Sequence, residues 1–219
     1  MPLALFDLDN TLLNGDSDHA WGIHLCEIGA VDAIEHRSRH EQYYVDYVNG
    51  ELDIYEFLEF QLKPLVENPI ELLTQWRNDY LAQKIEPMIE NSALTLINQH
   101  RELGHELAVI TATNSFITKP ITDRLGISTL IATEPETING EFTGQVDGTP
   151  CFQSGKIEKL NDWMSKKNYN LTDSWFYSDS YNDLPLLLEV DNPVATNPDE
   201  KLANEAARKK WPVINLFSN

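Results

Sequence analysis

An apolar run that ends on two aspartates constrains this chain more than any other stretch: Leu3-Ala4-Leu5-Phe6-Asp7-Leu8-Asp9-Asn10-Thr11-Leu12-Leu13. A short run of residues that tolerate burial on both faces reads as a central strand of a parallel sheet. Open α/β sheets keep their ligands beyond the carboxyl ends of such strands. Side chains two apart on a strand point the same way, so Asp7 and Asp9 are expected to face one cleft. Two converging carboxylates repel each other and are costly to desolvate. They require a cation, a shared proton or a reacting partner. A surface turn with an Asp-x-Asp would carry the same residues without a site, and the rest of the chain has to separate the two.

Beyond Leu13 the pattern is helical for a long way. Asn14-Gly15-Asp16-Ser17-Asp18 reads as a turn in which Asp16, Ser17 or Asp18 caps a helix. Tyr44, Val45 and Val48 share one helical face. Ile54, Phe57, Leu58 and Leu62 recur at spacings of three and four, as do Ile70, Leu73, Trp76, Tyr80 and Leu81. Pro64 and Pro69 punctuate these segments. No strand pattern stands between Gly15 and Glu86, so residues 15–86 are expected to form a separate helical module. From Asn91 onward helices and strands alternate. Strands are predicted over 106–111, 129–133 and 174–179, with shorter ones over 192–196 and 213–216. Helices are predicted over 93–103, 117–125 and 154–166, and Asn139-Gly140 signals a hairpin. The expectation is an α/β fold: a Rossmann-like, doubly wound parallel sheet made of residues 1–14 and 87–219, interrupted by the helical insertion.

Composition narrows the function classes. The formal charge is −19 over 219 residues, which repels nucleic-acid phosphates and anionic membranes; neither partner is expected. Residues 16–86 hold 15 acidic and 5 basic side chains. Such a module over a cleft favours a substrate with a positive group, although a solvated helical surface has the same composition. Cys26 and Cys151 stand far apart, without a disulfide or zinc pattern. Asp7 interrupts the first apolar run too early for a signal peptide, and no apolar run has the length of about 18 residues that a membrane helix needs. A cytoplasmic protein is expected.

Four predicted elements end in polar side chains where such a sheet keeps its ligand: Asp7 with Asp9, Thr111, Lys156, and Asp179 with Asp183. Asp7, Asp9 and Asp179 are hard oxygen donors that suit Mg²⁺. Lys156 is a point charge able to hold a phosphate oxygen and offset the carboxylates. Thr111 and the amides after it can donate to the same phosphate. A carboxylate held by Mg²⁺ and a lysine, with one oxygen free, can attack phosphorus.

On these four motifs, in this order, the chain resembles the haloacid dehalogenase-like superfamily of aspartate-dependent phosphohydrolases. Asp7-x-Asp9-x-Thr11 matches the first motif, the apolar run ending in Thr111 the second, Lys156 the third, and Ser178-Asp179-x-x-x-Asp183 the fourth. The insertion after the first motif is similar to the family's type C1 helical cap. The resemblance implies Mg²⁺ as cofactor and Asp7 as the nucleophile that becomes an aspartyl-phosphate. It implies Asp9 as general acid and then base, its backbone carbonyl toward the metal. Thr111 and Lys156 would steady the phosphoryl group, Asp179 would ligate the metal and Asp183 would support the metal site. Asn182 would lie near the phosphate, and Asn10, Ala112 and Asn114, beside the motifs, are further candidate contacts.

Within the superfamily, Tyr181-Asn182-Asp183-Leu184-Pro185 resembles the phosphoserine phosphatase branch, in which an acid nine residues after the nucleophile meets the substrate's amine; Asp16 holds that position. The second motif departs from that branch, reading Thr111-Ala112-Thr113-Asn114 in place of Ser-Gly-Gly. The cap's carboxylate-binding arginine motif has no counterpart, since Arg37 and Arg39 lack its surroundings. The run 7–13 continued by Gly15-Asp16-Ser17-Asp18-His19-Ala20-Trp21 is similar to histidinol-phosphate phosphatases. That substrate has an amine and an imidazole but no carboxylate, which suits Asp16, Asp18 and an acidic cap. The expected partner is therefore a small phosphorylated metabolite, with phosphoserine as the alternative substrate. A phosphomutase or phosphotransferase would keep the same core. A phospho-accepting receiver would order its motifs differently, a dehalogenase would have no use for Asp9 and Asp179, and an idle binding protein would not need the whole set.

The remaining histidines and tryptophans carry less. His19, directly after Asp18, is a candidate substrate contact as well as a helix-surface residue; His24 stands near the cleft. His36, His40, His100 and His105 lack metal-ligand spacing and read as surface residues. The tryptophans read as packing between helices and sheet, with Trp21 nearest the pocket. Arg208-Lys209-Lys210 reads as favourable charge at a helix C-terminus.

Overall fold

The computed structural model describes residues 1–217. Its frame is a six-stranded sheet of β1 (Leu3–Phe6), β2 (Glu106–Asn114), β3 (Thr129–Thr133), β6 (Trp175–Ser178), β7 (Asn192–Thr196) and β8 (Val213–Ile214). The spatial order is β3-β2-β1-β6-β7-β8, and every pairing is parallel. The chain builds outward from β1 to β2 and β3 on one side, and from β6 to β7 and β8 on the other. The crevice of a doubly wound sheet opens where that order reverses, here between the carboxyl ends of β1 and β6. Asp7 and Asp179 follow those two strands, and Asp7 N still donates to Tyr177 O at 2.9 Å.

Alternation along β1 divides the core in two. Ala4 and Phe6 pack on one face with Leu96 and Ile97 of α5 (Asn91–Glu102) and Ile117 and Ile121 of α6 (Ser115–Arg124). Leu3 and Leu5 pack on the other face with Leu160 and Met164 of α7 (Ser154–Lys167), Leu186 of α8 (Leu184–Leu187) and Leu202 of α9 (Glu200–Lys209). Burial on both faces is what makes β1 a continuous apolar run instead of an alternating one. The hairpin β4 (Pro135–Ile138) and β5 (Glu141–Val146) turns at Asn139 and Gly140, both with positive φ, as a tight two-residue turn requires.

Between β1 and β2 lie only helices and turns: α1 (Ser17–Glu27), α2 (Ala33–Asn49), α3 (Ile54–Glu67) and α4 (Ile70–Tyr80), then a π-helical turn over Leu81–Ile85, a 3₁₀ turn and α5. Part of this segment's acidity is capping. Asp16 accepts from His19 N, Asp32 from Ile34 N and Glu35 N, and Asp53 from Tyr55 N and Glu56 N, each satisfying helix-end donors that have no partner within the helix. Among the described residues no helix is long and apolar enough to cross a membrane.

Several local expectations are corrected. Strand β2 runs on past Thr111 to Asn114, with an irregular register between Ile110 and Asn114: Asn114 pairs with Thr133, and Thr111, Ala112 and Thr113 line the crevice. On helix α2 the shared face of Tyr44, Val45 and Val48 is 49–62% exposed, with Tyr44 and Val48 toward the cavity, and the inward stripe is His36, His40, Tyr43 and Tyr47. His36, His40 and His100 are accordingly buried, not surface residues. The His36 ring lies 4.6 Å from Phe60, and His100 Nε2 is 2.7 Å from the Tyr177 hydroxyl. His105 is half-buried against His100. Trp21 and His24 are also buried, Trp21 against Tyr80 and Phe116; neither lines the pocket.

Candidate active site

At the crevice Asp7 and Lys156 meet. Lys156 Nζ stands 2.6 Å from Asp7 Oδ1 and 2.7 Å from Asp183 Oδ2, and Ser178 Oγ donates to the same Asp183 oxygen at 2.7 Å. Gly155 allows this approach: a Cβ there would fall 2.0 Å from Pro150 O, so only glycine lets the first turn of α7 sit so close. Thr11 is fully buried and ties the first motif to the fourth. Its Oγ1 donates to Asp179 Oδ1 at 3.2 Å and accepts from Asp179 N at 3.0 Å. Asp9 is held at both oxygens, by Ser17 N of α1 at 2.7 Å and by Thr113 Oγ1 at 2.9 Å.

These groups open on a cavity of about 630 Å³. Its floor includes Asp7, Asp9, Thr111, Ala112, Lys156 and Asp179, and Asn10, Asn182 and Asp183 also line it. Asp16 and Asp18 line it from α1, and His40, Tyr43, Tyr47 and Phe57 from α2 and α3. The lining includes no arginine; Arg39 stacks instead on Phe60, 4.7 Å from that ring's centre. The C-terminal end of α2 is tied to the sheet side across the cavity. Tyr47 donates to Ser180 Oγ at 2.8 Å, Asn182 Nδ2 to Tyr47 O at 3.2 Å, and Lys201 Nζ to Val48 O at 2.7 Å.

Two of the sequence candidates lie off the wall. Asn114 caps α6, its side-chain oxygen accepting from Ile117 N at 3.3 Å. His19 is exposed and faces His40, with their Nδ1 atoms 3.2 Å apart. Thr11 of the first motif and Thr113 of the second each hold a candidate acid, Asp179 and Asp9, a role that the motifs alone do not mark. Gln61, which donates to Asp18 Oδ2, left no signal, because nothing in the sequence near it marks a site.

The electrostatics are dominated by crowded, desolvated carboxylates. Burial pushes Asp7 up to about 7 against the pull of Lys156, with Asp183 and Asp9 adding to the push. Burial also drives Asp179 up, reinforced by Asp7 and Asp183. Lys156 stays protonated: burial works against its charge, but Asp183 and Asp7 outweigh it. Beside Asp9, burial pushes Asp16 up to about 7, with the Asp9 charge contributing. Among the described residues no three acidic, imidazole or thiol groups are already gathered as a metal cage, Lys156 being wedged between Asp7 and Asp183. Even so, that one ammonium bonds two buried carboxylates, Asp7 and Asp183, while the half-buried Asp9 and Asp179 also line the cavity. That surplus of hard oxygen donors fits a divalent cation of the Mg²⁺ type.

The model of the haloacid dehalogenase-like hydrolases matches residues 4–188. A histidinol-phosphatase of Neisseria meningitidis serogroup C is 46% identical over 218 residues, covering 98% of each chain. A solved protein of unknown function from Bordetella pertussis Tohama I superposes with a TM-score of 0.93 at 40% identity, over 99% of each chain. A phosphoserine phosphatase solved as an analogue of its phospho-aspartyl intermediate superposes with a TM-score of 0.71 at 20% identity. It covers all of this chain and 94% of its own, a likeness of fold. The chain therefore belongs to the haloacid dehalogenase-like hydrolase family, and within it stands with the phosphatases.

Proposed function

We propose that the chain hydrolyses a small, amine-bearing phosphomonoester, histidinol phosphate, through an aspartyl-phosphate on Asp7, with residues 15–86 acting as a cap over the site. The observation that carries this reading is the cavity itself. Asp7 is ion-paired to a buried lysine, and Asp16 and Asp18, flanking the Ser17 amide that holds Asp9, add two carboxylates to a lining that also carries aromatic rings and no arginine. A phosphate suits the ion pair, and a cationic, flat group without a carboxylate suits the added carboxylates and rings. The 46% identical relative named for histidinol phosphate points the same way. Among the described residues no arginine lines the wall, and Lys201, the lysine there besides Lys156, donates to Val48 O, which speaks against phosphoserine and its carboxylate.

In the first half-reaction an Asp7 oxygen attacks phosphorus while the bond from phosphorus to the ester oxygen breaks. Asp9 protonates the departing alkoxide. In the second, water attacks the same phosphorus and gives its proton to Asp9, which releases phosphate and restores Asp7. The Thr113 hydroxyl fits both stages, donating to Asp9 when it is charged and accepting when it carries the proton. Lys156 orients Asp7 and offsets charge on the phosphoryl oxygens, and Thr111 donates to them. Asp183, already engaged by Lys156 and Ser178, steadies that ammonium. Mg²⁺ held by Asp7, the Asp9 carbonyl and Asp179 would supply charge neutralisation for the phosphoryl group. Uncatalysed phosphate-monoester hydrolysis is slow enough that enhancements approach about 10²¹, so covalent attack and charge offset are both needed.

The test is phosphate release from histidinol phosphate, phosphoserine, sugar phosphates and nucleotides with Mg²⁺ present. Histidinol phosphate is expected to give the highest kcat/KM, and a preference for sugar phosphates or nucleotides overturns the substrate reading. Asp7→Asn is expected to abolish turnover while leaving the circular dichroism spectrum unchanged; retained turnover overturns the nucleophile.

A further inference from the structure

Behind Asp18 runs a polar chain that the chemistry above does not use. Gln61, on α3 and 3% exposed, donates from Nε2 to Asp18 Oδ2 and lies 3.3 Å from His40 Nε2. His40 Nδ1 in turn lies 3.2 Å from His19 Nδ1 at the rim. Helices α1, α2 and α3 each contribute to this one string. A carboxamide nitrogen offers two hydrogens and accepts none. One hydrogen goes to Asp18, so the other goes to His40 Nε2. His40 then carries its proton on Nδ1 and donates it to His19 Nδ1, and His19 keeps its own proton on Nε2. Each link thereby joins a donor to an acceptor. The flipped carboxamide would set its oxygen against the Asp18 carboxylate, two acceptors facing each other away from water. Burial pushes His40 down to about 4, with His19 and His36 contributing, which keeps it neutral and able to accept. Burial pushes Asp18 up, Asp16 and Asp9 add to this, and the Gln61 hydrogen bond opposes it.

We propose that Gln61, held by His40, is a positioning residue for substrate selection: it pins one oxygen of Asp18 so that the other faces the cavity for the substrate's cationic nitrogen. Gln61 itself is not on the cavity wall, so it acts on the substrate only through Asp18. The inference rests on reading Asp18 as the contact for a positive group.

The test measures kcat and KM for histidinol phosphate and for p-nitrophenyl phosphate, which lacks the positive nitrogen. The proteins are the parent, Gln61→Met, Gln61→Leu, Asp18→Asn and the Asp18→Asn/Gln61→Met pair. In Gln61→Met, KM for histidinol phosphate is expected to rise about tenfold with kcat little changed, as loss of one hydrogen bond to a charged group predicts. Both constants for p-nitrophenyl phosphate are expected to stay within about twofold of the parent. The double variant is expected to be no worse than Asp18→Asn alone, because one residue acts through the other. Gln61→Leu is expected to behave alike and replaces Gln61→Met if that variant does not fold. Equal KM shifts for both substrates, a fall confined to kcat, or additive effects in the double variant overturn the proposal. A parent that shows no preference for histidinol phosphate removes the cationic-substrate reading and the positioning role together. A parent with the preference and Gln61 variants that keep it overturn the positioning role alone.

Discussion

Lys156 concentrates the site's energetics in one side chain. It is 3% exposed and bonds two carboxylates that would otherwise be buried without a cation. Removing one member of a buried ion pair costs about 3–5 kcal/mol, and Lys156→Met is expected to lose such an amount at pH 8 in metal-free protein. The orphaned Asp7 would be raised further in the fold. A carboxyl raised in the fold binds its proton there before it does in the unfolded chain, whose value is about 4. Acidification toward that value therefore favours the folded state. The deficit in melting temperature relative to the parent is expected to shrink between pH 8 and pH 5, and an equal deficit at both would refute the pairing. Thr113 is the subtler case. Thr113→Val is expected to lower kcat about tenfold with KM for p-nitrophenyl phosphate unchanged, since it removes the hydroxyl that follows Asp9 through both protonation states.

At the scale of elements, the start of α7 decides where that lysine stands. Gly155→Ala would drive a methyl group into Pro150 O, and overpacking of this kind costs about 1–3 kcal/mol. The variant is expected to lose activity beyond its loss of stability, because α7 carries Lys156 and must back away. Activity assayed well below the variant's melting temperature checks this. The strands around the site were largely legible, as was the asparagine–glycine hairpin: apolar runs and turn residues are local signals. Helix α2 was not. Its sequence offers Tyr44, Val45 and Val48 as an apolar face, yet the fold turns His36, His40, Tyr43 and Tyr47 inward. A polar-aromatic stripe satisfied by other helices scores poorly as a core by hydrophobicity alone. The same blindness made buried histidines look like surface ones.

Across the whole molecule, the histidine beneath the sheet ties stability to pH. His100 packs between Phe6 and Trp175 and bonds Tyr177. Burial, aided by His105, pushes it down to about 4. In the unfolded chain an imidazole takes up its proton near pH 6.5, about the ordinary value. The stability that His100 contributes is therefore full above that value and is lost as pH falls from about 6.5 toward 4. The drop in melting temperature between pH 7.5 and pH 5.5 is expected to be smaller in His100→Asn than in the parent. An identical drop would remove His100 from the acid response.

The chain by itself determined that a parallel sheet carries acids and a threonine at its strand ends, with a lysine at the start of a helix, because strand burial, the two-residue repeat and helix starts are written in neighbouring positions. It also marked Asp7, Asp9, Lys156 and Asp179 as one chemical set, since hard oxygen donors and a single ammonium have few other uses together. Only the tertiary structure decided which partners those groups take. Lys156 reaches Asp7 across 149 positions, and Gln61 reaches Asp18 across 43. Contacts at such separations depend on how the inserted helices fold back over the sheet, and no local period encodes that.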